Sequence, residues 1–432
     1  MSINNDLSLS WKSWEKIAFR LLFPFLALQI LTQDFLGNLF GDTRLVWDLG
    51  ARIFTPPCLW LNNHFFHFIY LPPGWTTHSP ALHTIRDTVY LLLSIVICVV
   101  WTLLDRRRRN YNRLLYWFSG ALIVVLSCIV FSYGNIKVFS VQMAAPSLST
   151  LETPVGALRP FDLLWSTFGY GSPYQIFTGV AEASSAILIL FRRTRVAGLL
   201  IIASVMVNVI MLNYTFQIGV LMLSFFILLV TLFLLAPYAR QLSRLFFYGQ
   251  EAVLVRNGYM PGMRLKTITR VVAGVLIVAS FIANTLYIHS VYERRENTKR
   301  SARYSQVQQF VMNLDTLRPS ENDTTCWRWW NERTAGGKRY VTILPMKLSA
   351  GKTYTAERDT AKHILSLQAL DRKDTVPLRF NYTDSGNTSW QMEGMWEGKT
   401  IKVRLLRIAP DTVFQLLRTR RIIIDLDDRK DQ

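Results

Sequence analysis

The feature that most constrains this chain is a series of apolar runs, each about 20 residues long, that recurs as far as His289 and then stops. A helix needs about 20 residues, at ~1.5 Å rise each, to cross a hydrocarbon core ~30 Å thick. The runs predict spans at residues 17–36, 87–104, 114–134, 175–191, 196–213, 216–238 and 271–289. Charged punctuation separates them. Asp105-Arg106-Arg107-Arg108-Arg109 stops the second, and Arg192-Arg193-Thr194-Arg195 divides the fourth from the fifth. Lys12 and Lys16 lead straight into apolar sequence without a cleavable signal pattern, so the first span, with Pro24 and Gln29 inside it, reads as uncleaved. The expected fold class is an α-helical polytopic membrane bundle of about seven spans plus a small C-terminal β-rich extramembrane domain.

The net charge of +19 has to be divided at the same place. Residues 1–289 hold 22 Lys and Arg against 11 Asp and Glu, and residues 290–432 hold 26 against 18. No basic stretch interleaved with aromatics resembles a nucleic-acid module, so the expected partner is the lipid bilayer and not nucleic acid. Alternate loops differ sharply. The N-terminus, the Arg106–Arg113 loop, the Arg192–Arg195 turn and residues 239–270 carry 17 basic residues, whereas the opposite loops carry only Arg44, Arg52, Arg86, Lys137 and Arg159. The positive-inside rule then places the N-terminus in the cytoplasm and, with an odd number of spans, residues 290–432 outside.

Residues 37–86 form a long outer loop rich in Trp, Phe, Pro and His, suited to the headgroup level. Residues 249–270, with Gly258, Pro261 and Gly262, look like a cytoplasmic connector. After Glu293 a charged, helical stalk to about Leu314 precedes segments with strand character. These are Arg339–Leu348, Ile364–Leu370, Val376–Tyr382, Trp390–Trp396, Thr400–Ile408 and Ile422–Leu426, and they predict a small β-sandwich or open barrel. The domain boundaries follow as 1–110, 111–245, 246–292 and 293–432. The four cysteines are too few for a disulfide framework. Cys58 and Cys326 fall outside the expected spans and could form a bridge, but free thiols are the expected state.

Glu182 is the most informative residue. It lies near the middle of the fourth span, where an ionisable group costs at least ~2.5 kcal/mol and marks either a functional site or a helix-gluing hydrogen bond. Gly179 and Ser185, at i−3 and i+3, make its face small and polar. Ser204 and Asn208 give the fifth span a polar face, with Asn213 at its outer end. Tyr133, Lys137 and Gln142 run from the upper bilayer to its outer edge. Lys137 either snorkels to a headgroup or meets a ligand oxygen or an acidic partner. Tyr174 opens the helix that carries Glu182. His64, His67, His78 and His83 share the first outer loop, but no Glu or Cys accompanies them, so they read as interfacial polar residues and no metal is expected. No P-loop, dinucleotide fingerprint, CxxC or hydrolase triad signature is present.

The run Tyr133-Gly134-x-x-Lys137-x-x-x-x-Gln142, followed by Trp165-x-x-x-Gly169-x-x-Ser172-x-Tyr174-x-x-Phe177-x-Gly179-x-x-Glu182, resembles the DoxX family of membrane proteins. So do Leu190-Phe191-Arg192-Arg193-Thr194-x-x-x-Gly198 and Asn208-Val209-x-x-Leu212-Asn213. The likeness covers roughly residues 110–245. Thr88-x-Tyr90 and Trp101-x-x-x-Asp105-Arg106 are similar to the longer DoxX-like proteins of Bacteroidetes-type bacteria. The resemblance implies a four-helix core at 111–245, location in a bacterial inner membrane with a periplasmic C-terminal domain, and an association with quinone-linked redox and oxidative-stress complexes. Under it Glu182 and Lys137 are the catalytic candidates, and Tyr133, Gln142, Tyr174, Gly179, Asn208 and Asn213 line a ligand. A quinone is the cofactor class, and a redox or periplasmic protein is the partner. The alternatives are a transport or lipid-handling protein, and a membrane anchor that recruits partners through its outer domain.

Overall fold

The computed structural model describes residues 10–32, 44–67, 80–170, 172–251, 259, 261–313, 315–317, 320, 323–348, 351–370, 377–384 and 388–414, of which 32, 44–52, 80–83 and 411 are described in backbone only. The chain divides into two compact units. One comprises residues 1–142 and 173–288, the other 143–172 and 289–432.

The first unit is helical: α1 Ser13–Thr32, α2 Arg44–Leu61, α3 Pro80–Leu104, α4 Asn112–Val138, then α7 Ser172–Leu188, α8 Arg195–Thr215, α9 Leu221–Leu235, α10 Ala239–Tyr248 and α11 Met263–Ser301, which continues into the second unit. Among the described residues, five helical stretches are long and apolar enough to cross a membrane: Thr84–Leu104, Asn112–Val138, Arg195–Thr215, Leu221–Tyr248 and Met263–Ser301. The chain is a multi-pass membrane protein on this basis, and five of the seven expected spans meet the length and apolarity of a crossing. The other two expected spans exist as helices that fall short of that measure. Glu15, Lys16 and Arg20 put three charges into α1, and α7, at 17 residues, is short and carries Glu182.

Arg20 shows how α1 tolerates a charge. The residue is buried, and its guanidinium donates to Tyr111 Oη at 2.9 Å, Thr102 Oγ1 at 3.1 Å and the Asp105 carbonyl at 2.7 Å. Nine residues later Gln29 donates to Asp87 at 2.8 Å, so α1 and α3 run antiparallel. In contrast α4 and α11 run parallel. Phe131 stacks on Phe281 with centroids 3.7 Å apart, and Asn135 donates to Asn284, which donates to Ser132, both at 2.9 Å. Leu122, Leu126, Ile189, Leu199, Ile202 and Val230 form the centre of the apolar core. The aromatic segment expected as a loop contains α2, with Pro56 and Pro57 inside the helix and Cys58 buried against Ile85.

The second unit is built on a barrel. Strands β1 Arg303–Met312, β3 Trp327–Ala335, β4 Lys338–Pro345, β5 Lys352–Asp359, β6 Ile364–Ala369, β7 Leu378–Asp384, β8 Ser389–Trp396 and β9 Lys399–Ile408 pair in sequence order, all antiparallel. A β1–β9 ladder from Tyr304↔Ile408 to Met312↔Ile401 closes the ring, and β2 Asp315–Thr316 is a short annex to β1. Closure removes both sheet edges. The expected small sandwich or open barrel is therefore corrected to a closed eight-stranded barrel, larger than a minor extension. The expected stalk ends at Ser301, because Arg303–Met312 has the inward and outward alternation of a strand, with Ser305, Phe310 and Met312 buried. The expected strand at Ile422–Leu426 lies outside the described residues. Trp327, Trp330, Phe380, Trp390, Trp396 and Val403 fill the interior.

The segment between α4 and α7 belongs to this second unit. It holds α5 Leu148–Glu152 and α6 Pro160–Tyr170. Leu148 packs with Trp329 and Leu344, and Glu152 accepts from Trp329 Nε1 at 2.9 Å and also from Arg328. A short α12, Pro410–Val413, follows the barrel.

Candidate functional site

The site begins where two helices touch backbone to backbone. Gly134 of α4 and Gly179 of α7 face each other so closely that a Cβ on Gly179 would lie 2.7 Å from the Gly134 carbonyl oxygen and the Val138 nitrogen. A Cβ on Gly134 would lie 2.6 Å from the Ala183 nitrogen. Small residues at both positions allow this approach, as in packed membrane helices generally. Seven residues earlier on α4, Ser127 donates to the Ala186 carbonyl at 2.8 Å, so α4 and α7 run antiparallel.

One turn from the glycine contact, Lys137 donates through Nζ to Oε1 of Glu182. The pair is enclosed, with side-chain exposures of 10% for Lys137 and 2% for Glu182. Oε2 of Glu182 is also buried and accepts no hydrogen bond from any described residue. Snorkelling of Lys137 to a headgroup is thereby replaced by the acidic partner. Two opposite charges side by side reduce the cost of burial, whereas removing one partner of a buried pair costs ~3–5 kcal/mol because the other charge is stranded. Chemically, one carboxylate oxygen is held by an ammonium, and the other is a buried acceptor with no donor among the described residues.

The remaining candidates divide. Gly179 sets the helix spacing. Tyr133, half-buried, precedes Lys137 by one turn, and Gln142 lies just past the end of α4 with a buried Oε1 that no described residue satisfies. Tyr174 is 54% exposed. Asn208 also faces outward, and Ser204 bonds its own helix at the Leu200 carbonyl, 3.0 Å away, so the polar face expected on α8 is not turned into the bundle. Asn213 is buried but donates to Ser224 Oγ of α9 at 2.7 Å, a helix-joining bond. Ser185 bonds the Glu182 carbonyl, not its carboxylate.

Sequence reasoning missed Gln175. It is fully buried two turns before Glu182 on the same face, and the i, i+7 spacing was its signal. Among the histidines, His64 stacks on Trp60 and pairs with its carbonyl at 2.9 Å. His78 lies outside the described residues, and His83 is described in backbone only. Among the described residues no cluster of three His, Cys, Asp or Glu could hold a metal ion. All four cysteines are free thiols, and burial pushes the Cys326 thiol up to about 12.

Against known proteins, the sequence is 34% identical over 116 residues to the uncharacterized protein YwoB of Bacillus subtilis, across 27% of this chain and 73% of that one. The chain belongs to the YwoB family. YwoB itself is described only as uncharacterized, so the kinship brings no activity with it. No family model matches the sequence, and no solved structure matches it.

Proposed function

We propose that this YwoB relative binds a lipid-soluble carrier of the quinone type at the Lys137–Glu182 pair, within a membrane redox or stress-protection complex. The observation that carries the reading is the buried, unpartnered Oε2 of Glu182 beside an Oε1 held by Lys137. Such an oxygen accepts a hydrogen bond from a carrier hydroxyl and is a place for its proton, while the ammonium holds the carboxylate in position. Tyr133 and Gln142 are the neighbouring groups suited to the polar end of the carrier. Electrons pass between the carrier and a separate redox partner, and no residue of this chain is assigned that step. The DoxX-type motifs, which contain both Lys137 and Glu182, support the same reading.

The protein resides in a bacterial inner membrane with its N-terminus in the cytoplasm and its barrel in the periplasm. The parallel course of α4 and α11 supports this sidedness. It puts the Arg106–Arg113 cluster and the Arg264–Arg270 cluster at one face, and the chain leaves the other ends of both helices into the same compact unit. A second reading is a scaffold that recruits a periplasmic protein. It is favoured by the barrel interior, which is filled by its own aromatic side chains and leaves the outer surface for partners.

The test is lipid extraction from the purified protein and mass spectrometry for quinones. Wild type should carry quinone above the level of an unrelated membrane protein from the same cells, and Glu182→Leu should lose it. Equal amounts in all three samples would overturn the carrier reading and favour the scaffold.

A further inference from the structure

The helix α10 has no buried residue, although it directly follows the apolar α9. Counting ~20 residues of span from Leu221 reaches Arg240, so α10 starts where the hydrocarbon core ends. The 3₁₀ turn Ala236–Tyr238, with Pro237 inside it, separates the two helices. At helical spacing Ala239, Leu242, Leu245 and Phe246 share one side of α10, and Arg240 and Arg244, four residues apart, share the other. Leu242 packs against the bundle core. Beyond it the apolar side continues uncovered, with Phe246 64% exposed, and the helix ends in Phe247, 83% exposed, and Tyr248.

The sequence around this helix is strongly basic. Residues 239–270 contain Arg240, Arg244, Arg256, Arg264, Lys266 and Arg270 against Glu251 alone. A short helix with an uncovered aliphatic and aromatic side, arginines opposite and aromatic residues at its end fits one surrounding. That is the boundary between acyl chains and anionic headgroups.

We propose that α10 is an interfacial helix that binds anionic phospholipid. Leu245 and Phe246 enter the acyl boundary, Arg240 and Arg244 hold headgroup phosphates from above, and Phe247 and Tyr248 lie at headgroup level. A second copy of this chain or a soluble protein partner would cover the same side differently, and the experiment separates them.

The full chain, carrying a spin label at Phe246→Cys on the apolar side, is reconstituted into phosphatidylcholine alone and into equimolar phosphatidylcholine and phosphatidylglycerol. The native thiols are buried and leave position 246 as the accessible one. Relaxation by oxygen and by a water-soluble nickel chelate then reports depth. In the anionic bilayer the label should favour oxygen, and Arg240→Gln with Arg244→Gln should abolish that preference. Two arginines together account for roughly 30-fold in binding to an anionic surface. Arg240→Lys with Arg244→Lys keeps the charge and should restore the depth, which separates lipid binding from misfolding. A label that favours the nickel chelate in both bilayers overturns the proposal, as does a depth indifferent to phosphatidylglycerol. Spin–spin broadening at high protein density would assign the face to a second copy.

Discussion

Replacing Gly179 by alanine adds one methyl group at the tightest point of the site. Its Cβ would sit 2.7 Å from the Gly134 carbonyl oxygen and from the Val138 nitrogen, and 2.8 Å from Lys137 Cβ. Ordinary contacts to carbon begin near 3.4 Å, so α4 and α7 would have to separate by somewhat less than about 1 Å. The obstructing atoms are mainly backbone, so no side chain can rotate aside. Overpacking of this kind costs ~1–3 kcal/mol, set against a gain of up to ~1 kcal/mol because alanine is the better helix former. The net expectation is a loss of up to ~2 kcal/mol, together with a longer Lys137–Glu182 contact. Gly120 on α4 provides the internal control, since a Cβ there meets nothing within 4 Å and only the helix-propensity gain applies. Thermal unfolding of the purified protein in detergent should show Gly179→Ala less stable than wild type and Gly120→Ala equal to it or slightly more stable. If the two variants unfold at the same temperature, the close contact of α4 and α7 is wrong, and the geometry of the site with it.

Glu152→Ala should strand Trp329 Nε1 and the Arg328 guanidinium and cost ~1–3 kcal/mol, read as faster proteolysis of residues 143–172 while the barrel stays intact. Partial burial pushes the Asp323 carboxyl up, but hydrogen bonds from Thr325 and Cys326 outweigh this and hold it below its ordinary value. Its contribution to stability is therefore full above about pH 4 and is lost as pH falls through the lowered value. Asp323→Asn should flatten that part of the acid limb in a pH series of thermal unfolding. Thiol titration after denaturation should find all four cysteines reactive without prior reduction, and a Cys58–Cys326 bridge would leave only two.

The membrane character of the chain was legible because a helix that crosses lipid needs a long run of one kind of residue, and such runs survive in the sequence. The standing of α1 and α7 was not, because they satisfy their polar groups through partners distant in sequence. Arg20 finds Thr102, Asp105 and Tyr111, and Glu182 finds Lys137. Glu182 and Lys137 could each be singled out as charges misplaced in apolar sequence, but their pairing across 45 residues could not. The polar face of α8 misled because period alone does not say which side of a helix faces inward, and Asn208 faces out. Strands β1, β3 and β5 were missed because a closed barrel buries only alternate residues. Sequences such as Lys-Thr-Tyr-Thr-Ala-Glu-Arg-Asp at 352–359 therefore read as polar loop.

The central claim is that the unpartnered oxygen of Glu182 meets the polar end of a lipid-soluble carrier. Difference infrared spectroscopy of the reconstituted protein, recorded on addition of a short-chain quinol, observes that carboxyl directly. Carrier binding should change a carboxyl stretching band in wild type, and the change should be absent in Glu182→Gln and diminished in Lys137→Met. A spectrum in which the carboxyl region does not respond, or responds identically in Glu182→Gln, would contradict the account and leave the pair as a structural bond between α4 and α7.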